Sequence, residues 1–201
     1  MKAVASKAGS VNLCPIRASS AAVAALAPAL ERFGVDPAGR VCADIGASTG
    51  GFTDVLLRRG AARVYAIDVG RGLLHWRLRQ DPRVVVIERV NARDLETLPE
   101  PVSLVVIDVS FISLEKILPA VKRAAPAAEV VALFKPQFEV GRAEVGKGGI
   151  VRNDSAVEAA LSRFRKWCVT NGFDVAAEAP SAVTGAEGNR EIFLHLTPVT
   201  A

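Results

Sequence analysis

An acid followed closely by a cluster of glycines is the part of this chain best suited to hold a small ligand. In Val41-Cys42-Ala43-Asp44-Ile45-Gly46-Ala47-Ser48-Thr49-Gly50-Gly51-Phe52 an apolar run leads into Asp44 and Gly46, and Thr53-Asp54-Val55-Leu56-Leu57 then opens a helical pattern. Strand, glycine turn and helix start describe the nucleotide-facing corner of an open parallel sheet, where the backbone can approach a ligand and free N–H groups meet polar atoms. Asp44, Gly46, Ala47, Ser48, Thr49, Gly50, Gly51 and Phe52 are therefore the expected contacts. A dinucleotide fingerprint would read Gly-x-Gly-x-x-Gly, and its middle glycine is missing here. The Asp44 carboxylate would also repel a diphosphate and attract a positive amino group. S-Adenosylmethionine carries an ammonium and a sulfonium and no phosphate, so it suits this corner better.

Two further acids sit at or just past strand-like runs. Asp68 ends Arg63-Val64-Tyr65-Ala66-Ile67-Asp68, where a carboxylate can accept hydrogen bonds from both ribose hydroxyls. Asp94 follows the next run and could meet an adenine amino group, although Asp in such places also serves as a loop or helix cap.

The elements that must position these residues are legible as apolar runs. Val41–Ile45, Arg63–Asp68, Val84–Ile87, Leu104–Asp108 and Val130–Phe134 are almost continuously apolar, as expected of parallel strands covered on both faces. Helical patterns at Ser20–Phe33, Thr53–Arg59, Leu73–Gln80, Leu114–Ala124 and Asp154–Thr170 alternate with them, and Phe173–Ala179 and Glu191–Thr197 complete seven strands. This predicts an α/β, Rossmann-like, doubly wound and mostly parallel sheet. In that order the strands ending at Asp108 and Lys135 flank the first, so both side chains face the ligand crevice. Residues 137–153 and 181–190 form long Gly-rich, charged loops, and loops of this length inside a domain usually serve function. Trp76 and Phe111, set among apolar neighbours, are expected in the core.

Composition narrows the class. With 201 residues, 50% of them hydrophobic, the chain has material for one sizeable core. Residues 1–19 are expected to be a loose amino-terminal segment and 20–201 the folded domain. The net charge of +4 agrees with a phosphate-bearing partner without requiring one. Cys14, Cys42 and Cys168 have no Cys-x-x-Cys spacing and, with only His75 and His195 beside them, predict packing thiols in a reducing compartment rather than a metal site. No apolar run reaches the roughly 18 residues of a membrane span. The broken, Ala-rich start is a poor secretory leader, and a cytoplasmic location is expected.

The stretches Val41–Asp54, Ala61–Gly70, Leu78–Val84, Ile107–Leu114 and Phe134–Glu139 together resemble the TlyA family, labelled hemolysin in places and similar to the FtsJ-like ribosomal RNA 2'-O-methyltransferases. The likeness runs from about Phe33 to Leu196 and implies a class I methyltransferase fold, S-adenosylmethionine as cofactor and ribosomal RNA or a ribosomal subunit as partner. It also implies a Lys-Asp-Lys-Glu tetrad whose last three members fall at Asp108, Lys135 and Glu191. In such a site a lysine made less basic by its surroundings takes the hydroxyl proton, or a charged one stabilises the developing alkoxide. Asp108 would serve both tetrad and cofactor. The segment that carries the first lysine in the family reads Ser20-Ala21-Ala22-Val23-Ala24-Ala25-Leu26 here, with Lys7 and Arg17 the nearest cations before it, and residues 1–19 are too short for the family's small RNA-binding module. Cofactor binding with weakened or altered RNA activity is the expectation, and a catalytically impaired binding protein the alternative. Arg142, Lys147, Arg152 and Arg190, in the two long loops, are candidate phosphate contacts or simply a solvated rim.

Overall fold

The computed structural model describes residues 20–185 and 188–199. The expected amino-terminal segment 1–19, with Lys7, Cys14 and Arg17, lies outside them. Seven strands, β1 (Val41–Ile45), β2 (Arg63–Asp68), β3 (Val84–Glu88), β4 (Leu104–Ile107), β5 (Glu129–Phe134), β6 (Phe173–Pro180) and β7 (Ile192–Pro198), form one sheet in the order β3-β2-β1-β4-β5-β7-β6. Strands β1 to β5 are mutually parallel, and β7 runs antiparallel to both β5 and β6. The order reverses between β1 and β4. An open sheet offers its ligand crevice at such a point, beyond the carboxyl ends of the strands.

Helices α1 (Ser20–Phe33), α2 (Gly51–Arg58), α3 (Trp76–Arg79), α4 (Leu118–Ala124), α5 (Pro136–Glu139) and α6 (Asp154–Thr170) cover the sheet. One apolar layer gathers Leu26, Leu30, Phe52, Leu56 and Phe193, and the other Ile107, Leu118, Phe134, Leu161 and Phe164. Burial on both faces explains why the parallel strands read as unbroken apolar runs.

Local chemistry moves several expected boundaries. Asn153, not Asp154, caps α6: its side-chain oxygen accepts from the Ser155 and Ala156 amides. Leu114–Lys116 is a 3₁₀ turn and α4 begins only at Leu118, with Pro119 in its first turn. The long loop after β5 holds the single turn α5 and two 3₁₀ turns at Arg142–Glu144 and Lys147–Gly149. Cys42 and Cys168 are buried, and burial pushes both thiols up to about 12, so they act as packing groups. Among the described residues no helix is long and apolar enough to cross a membrane, and no three His, Cys, Asp or Glu side chains gather to hold a metal.

Candidate active site

The glycine turn after β1 is shaped by close approaches. Gly46 has φ +84°, and a Cβ there would stand 2.3 Å from the Asp108 carbonyl oxygen, so only glycine lets the ends of β1 and β4 meet. Gly50, at φ +97°, would likewise drive a Cβ to 2.1 Å from Leu78 Cδ1. The amides of Gly46 and Ala47 both donate to the Ile67 carbonyl, and Ser48, at φ +48°, donates its amide to Asp68 Oδ2 at 2.8 Å. Asp68 Oδ1 accepts from the Gly70 amide at 2.7 Å. Asp68 thus ties the two turns together while still lining the cavity, with lone pairs left on both oxygens.

Asp44 lies directly beneath the turn and is fully buried. Its Oδ2 accepts from the Thr53 hydroxyl at 2.6 Å, while its Oδ1 has no partner. Burial pushes the carboxyl up to about 7, opposed by the Thr53 hydrogen bond and reinforced by the Asp108 carboxylate. An orphaned buried oxygen is costly, and it marks a place where a cationic or hydrogen-bonding group would be stabilised.

A cavity of about 830 Å³ opens above this corner. Gly46, Ser48, Asp68 and Asp108 line it, together with Phe111, Ser113, Gln137 and Phe138. Asp94 does not reach it. The residue is exposed in the 3₁₀ turn Ala92–Asp94, and Asn91, Ala92 and Arg93 line the cavity in its place. The sequence offered no signal for this, because a one-turn element has no period from which to read its inward face.

The carboxyl ends of β4 and β5 and the start of β7 bring Asp108, Lys135 and Glu191 together. Lys135 Nζ is 2.6 Å from Asp108 Oδ1, an ion pair not aligned as a hydrogen bond, and donates to Ser110 Oγ at 3.2 Å. Glu191 is buried; burial pushes its carboxyl up, the Lys135 charge opposes this and the Asp108 charge adds to it. A Cβ on Gly185 would stand 2.5 Å from Glu191 Oε1, so the β6–β7 loop also packs tightly on this acid. A cation paired with one carboxylate, and acting by its charge on a second, can exchange a proton with a substrate hydroxyl or stabilise the oxyanion left behind. The stretch expected to carry a fourth member forms the first turns of α1, with Ala25 and Leu26 buried, and contributes no charge.

Arg142, Lys147, Arg152 and Arg190 are all exposed, and none forms an ion pair among the described residues. Asn189, buried and unremarked in the sequence, latches their two loops together: its Oδ1 accepts from the Val151 amide and its Nδ2 donates to the Gly149 carbonyl, both at 2.9 Å. Arg142 also lines the cavity.

Two expectations fail at the rim. Trp76 is 57% exposed and Phe111 89%, so neither belongs to the core. Leu74 and Leu78 take the inward positions around α3 and leave Trp76 outside. Phe111 has φ +64°, unusual for a bulky residue, and its ring lies 5.2 Å from that of Phe138 at the cavity wall. Glu139 fixes the approach of these segments by accepting from the Ser113 hydroxyl at 2.7 Å and the Leu114 amide at 2.8 Å.

The profile of the FtsJ-like methyltransferases matches residues 19–197. The 16S/23S rRNA (cytidine-2'-O)-methyltransferase TlyA of Mycobacterium tuberculosis is 49% identical over 178 residues, which cover 87% of this chain and 66% of the relative. Hemolysin A of Brachyspira hyodysenteriae is 44% identical over 174 residues, 85% of this chain and 72% of that protein. Among solved structures, a hemolysin candidate from Streptococcus thermophilus superposes with a TM-score of 0.88 at 43% identity, over 93% of this chain and 69% of that one. The chain therefore spans about two thirds of the length of the relatives it matches.

Proposed function

We propose, from the premise that this chain belongs to the FtsJ-like methyltransferase family, that it transfers a methyl group from S-adenosylmethionine to a ribose 2'-hydroxyl of ribosomal RNA. The observation that carries the reading is Lys135, clasped by Asp108, which lines a nucleoside-sized cavity, with its charge acting on the buried Glu191. The fit of the cofactor rests on the orphaned Asp44 Oδ1, suited to an ammonium, and on Gly46 and Ser48, which bring the turn's backbone to the cavity wall. Asp68 has acceptor capacity that would suit the ribose hydroxyls, and Asn91 and Ala92 line the cavity where they would hold the base. When bound, the cofactor supplies an electrophilic methyl on a sulfonium. Lys135 positions the attacking hydroxyl and takes its proton or holds the alkoxide, while Asp108 and Glu191 fix the ammonium. Arg142, Lys147, Arg152 and Arg190 face the phosphates of the incoming strand. Acting on ribosomal subunits, the protein works in the cytoplasm, where buried reduced thiols are the rule.

Tritiated methyl transfer to purified ribosomal subunits, followed by nucleoside digestion, tests this. A 2'-O-methylated nucleoside is the expected product; label only on protein, on a base or on small molecules would overturn it. The exposed Phe111 gives a second measurement. An aromatic ring at the mouth of such a cavity suits stacking by an unpaired base, worth roughly 1–3 kcal/mol. Phe111→Ala is expected to raise the KM for subunits about tenfold and to leave the thermal midpoint and the affinity for S-adenosylhomocysteine unchanged. An unchanged KM would remove the ring from substrate binding.

A further inference from the structure

A second aromatic and basic feature lies outside the cavity. Between Gly70 and Gln80 the chain carries Arg71, Arg77 and Arg79 and no acid. Arg79 is committed to Glu88 and to the Leu74 carbonyl. Arg71 and Arg77 are exposed and have no ion pair among the described residues. The Arg77 guanidinium lies 5.4 Å from the Trp76 ring centroid, and the His75 ring is stacked on the same indole at 6.0 Å and 29°. This cluster is held rigidly: His75 Nδ1 accepts from the Arg77 amide at 3.3 Å, the His75 amide donates to the Thr49 carbonyl at 3.1 Å, and Leu74 and Leu78 pack against Gly50. Val69 and Leu73, 69% and 49% exposed, line the cavity and carry the apolar surface from its rim toward Trp76.

We propose that Trp76, with Arg77 and Arg71, is a stacking platform for an unpaired nucleotide of the RNA that flanks the methylated one. This rests on the RNA reading above. The occupant follows from charge complementarity: two unpaired guanidinium groups beside an exposed indole offer a phosphate contact and a π-face together, the combination that binds single-stranded nucleic acid. The anchoring to Thr49 and Gly50 sets the platform beside the glycine corner, so a strand entering the cavity passes over it.

Trp76 and Trp167 are the two tryptophans of the chain, so Trp167→Phe leaves Trp76 as the sole reporter. Titration of this protein with a short oligocytidylate is expected to quench its emission. Read by the anisotropy of a fluorescein-labelled oligocytidylate, Trp76→Ala should weaken binding about tenfold, and Arg77→Gln should lower the slope of log affinity against log salt by about one. S-Adenosylhomocysteine affinity should stay unchanged in both variants, which certifies the fold of the corner. Oligonucleotide binding that neither variant alters overturns the platform and leaves the RNA reading intact. No binding by the unsubstituted protein overturns both. Quenching by an RNA-free ribosomal protein fraction alone reassigns the patch to protein docking and overturns the proposal.

Discussion

Lys135→Ala is expected to lower methyl transfer to ribosomal subunits by about 10²- to 10⁴-fold, the range of a positioned proton-transfer group, with S-adenosylhomocysteine affinity within about threefold of the original. The separation follows from geometry. Lys135 sits at the end of β5, clasped to Asp108 and largely buried, and is not itself among the residues that line the cavity, as Gly46, Ser48 and Asp68 are. Removing the cation leaves Asp108 beside the buried Glu191 without its partner. A loss of stability on the order of 1–3 kcal/mol should therefore accompany the change, and rates are to be compared well below the melting midpoint. Lys135→Arg separates the two roles of the amine. A guanidinium keeps the charge but cannot accept the proton, so a rate recovered in this variant assigns alkoxide stabilisation and a rate lost assigns proton removal. Alanine and native rates within about threefold of each other would overturn the proposed role.

Cofactor affinity is expected to rise with pH between about 6 and about 8, with release of a proton on binding, because of Asp44. Its carboxyl is raised by burial from 3.8 to about 7 in the folded chain. A raised acid favours the fold while protonated. That contribution is present below the unfolded value and is lost as pH climbs through the folded one. At neutral pH and above, the unliganded protein carries an ionised acid in a buried place. An ammonium brought near Asp44 Oδ1 favours that ionised form, and this is the origin of the proton release. Calorimetry with S-adenosylhomocysteine in buffers of different ionisation enthalpy measures it directly. Asp44→Asn should flatten the pH dependence, weaken binding at about pH 8 and stabilise the unliganded fold there by up to about 4 kcal/mol. Affinity independent of pH, with no proton released, would remove Asp44 from cofactor binding.

The two residues express one trade. Asp44 Oδ1, just beneath the cavity-lining Gly46, lacks a partner, and the Lys135 contact with Oδ1 of the cavity-lining Asp108 is poorly aligned. Native folds satisfy most buried polar atoms, and unsatisfied ones gather where a ligand completes them. The Asn189 latch and the Glu139 contacts are satisfied and hold the loops in place, while the buried Gln137 Oε1 at the cavity wall also lacks a partner.

The sheet and the glycine corner were legible in the sequence, and the strand order placed Asp108 and Lys135 at neighbouring strand ends, whereas Glu191 came only from the family likeness. Strands covered on both faces must be apolar throughout, so five parallel strands announce themselves. Residues at strand ends inherit their position from the strand order. Gly46 was legible for a similar reason, since only one residue type tolerates its backbone and its 2.3 Å approach to Asp108. Tertiary structure alone decided what happens in single turns. Asp94 turns to solvent while Asn91 and Ala92 face the cavity, Asn153 rather than its neighbour caps α6, and Asn189 bonds to Val151 and Gly149, 38 and 40 residues away in sequence. Phe111 and Trp76 carry apolar side chains in apolar surroundings, yet a positive φ turns one outward and the packing of Leu74 and Leu78 leaves the other exposed. Hydrophobic period reports which face of a long element is buried. A turn of three or four residues is too short to have a period, and its inward face is chosen by the neighbours that reach it first.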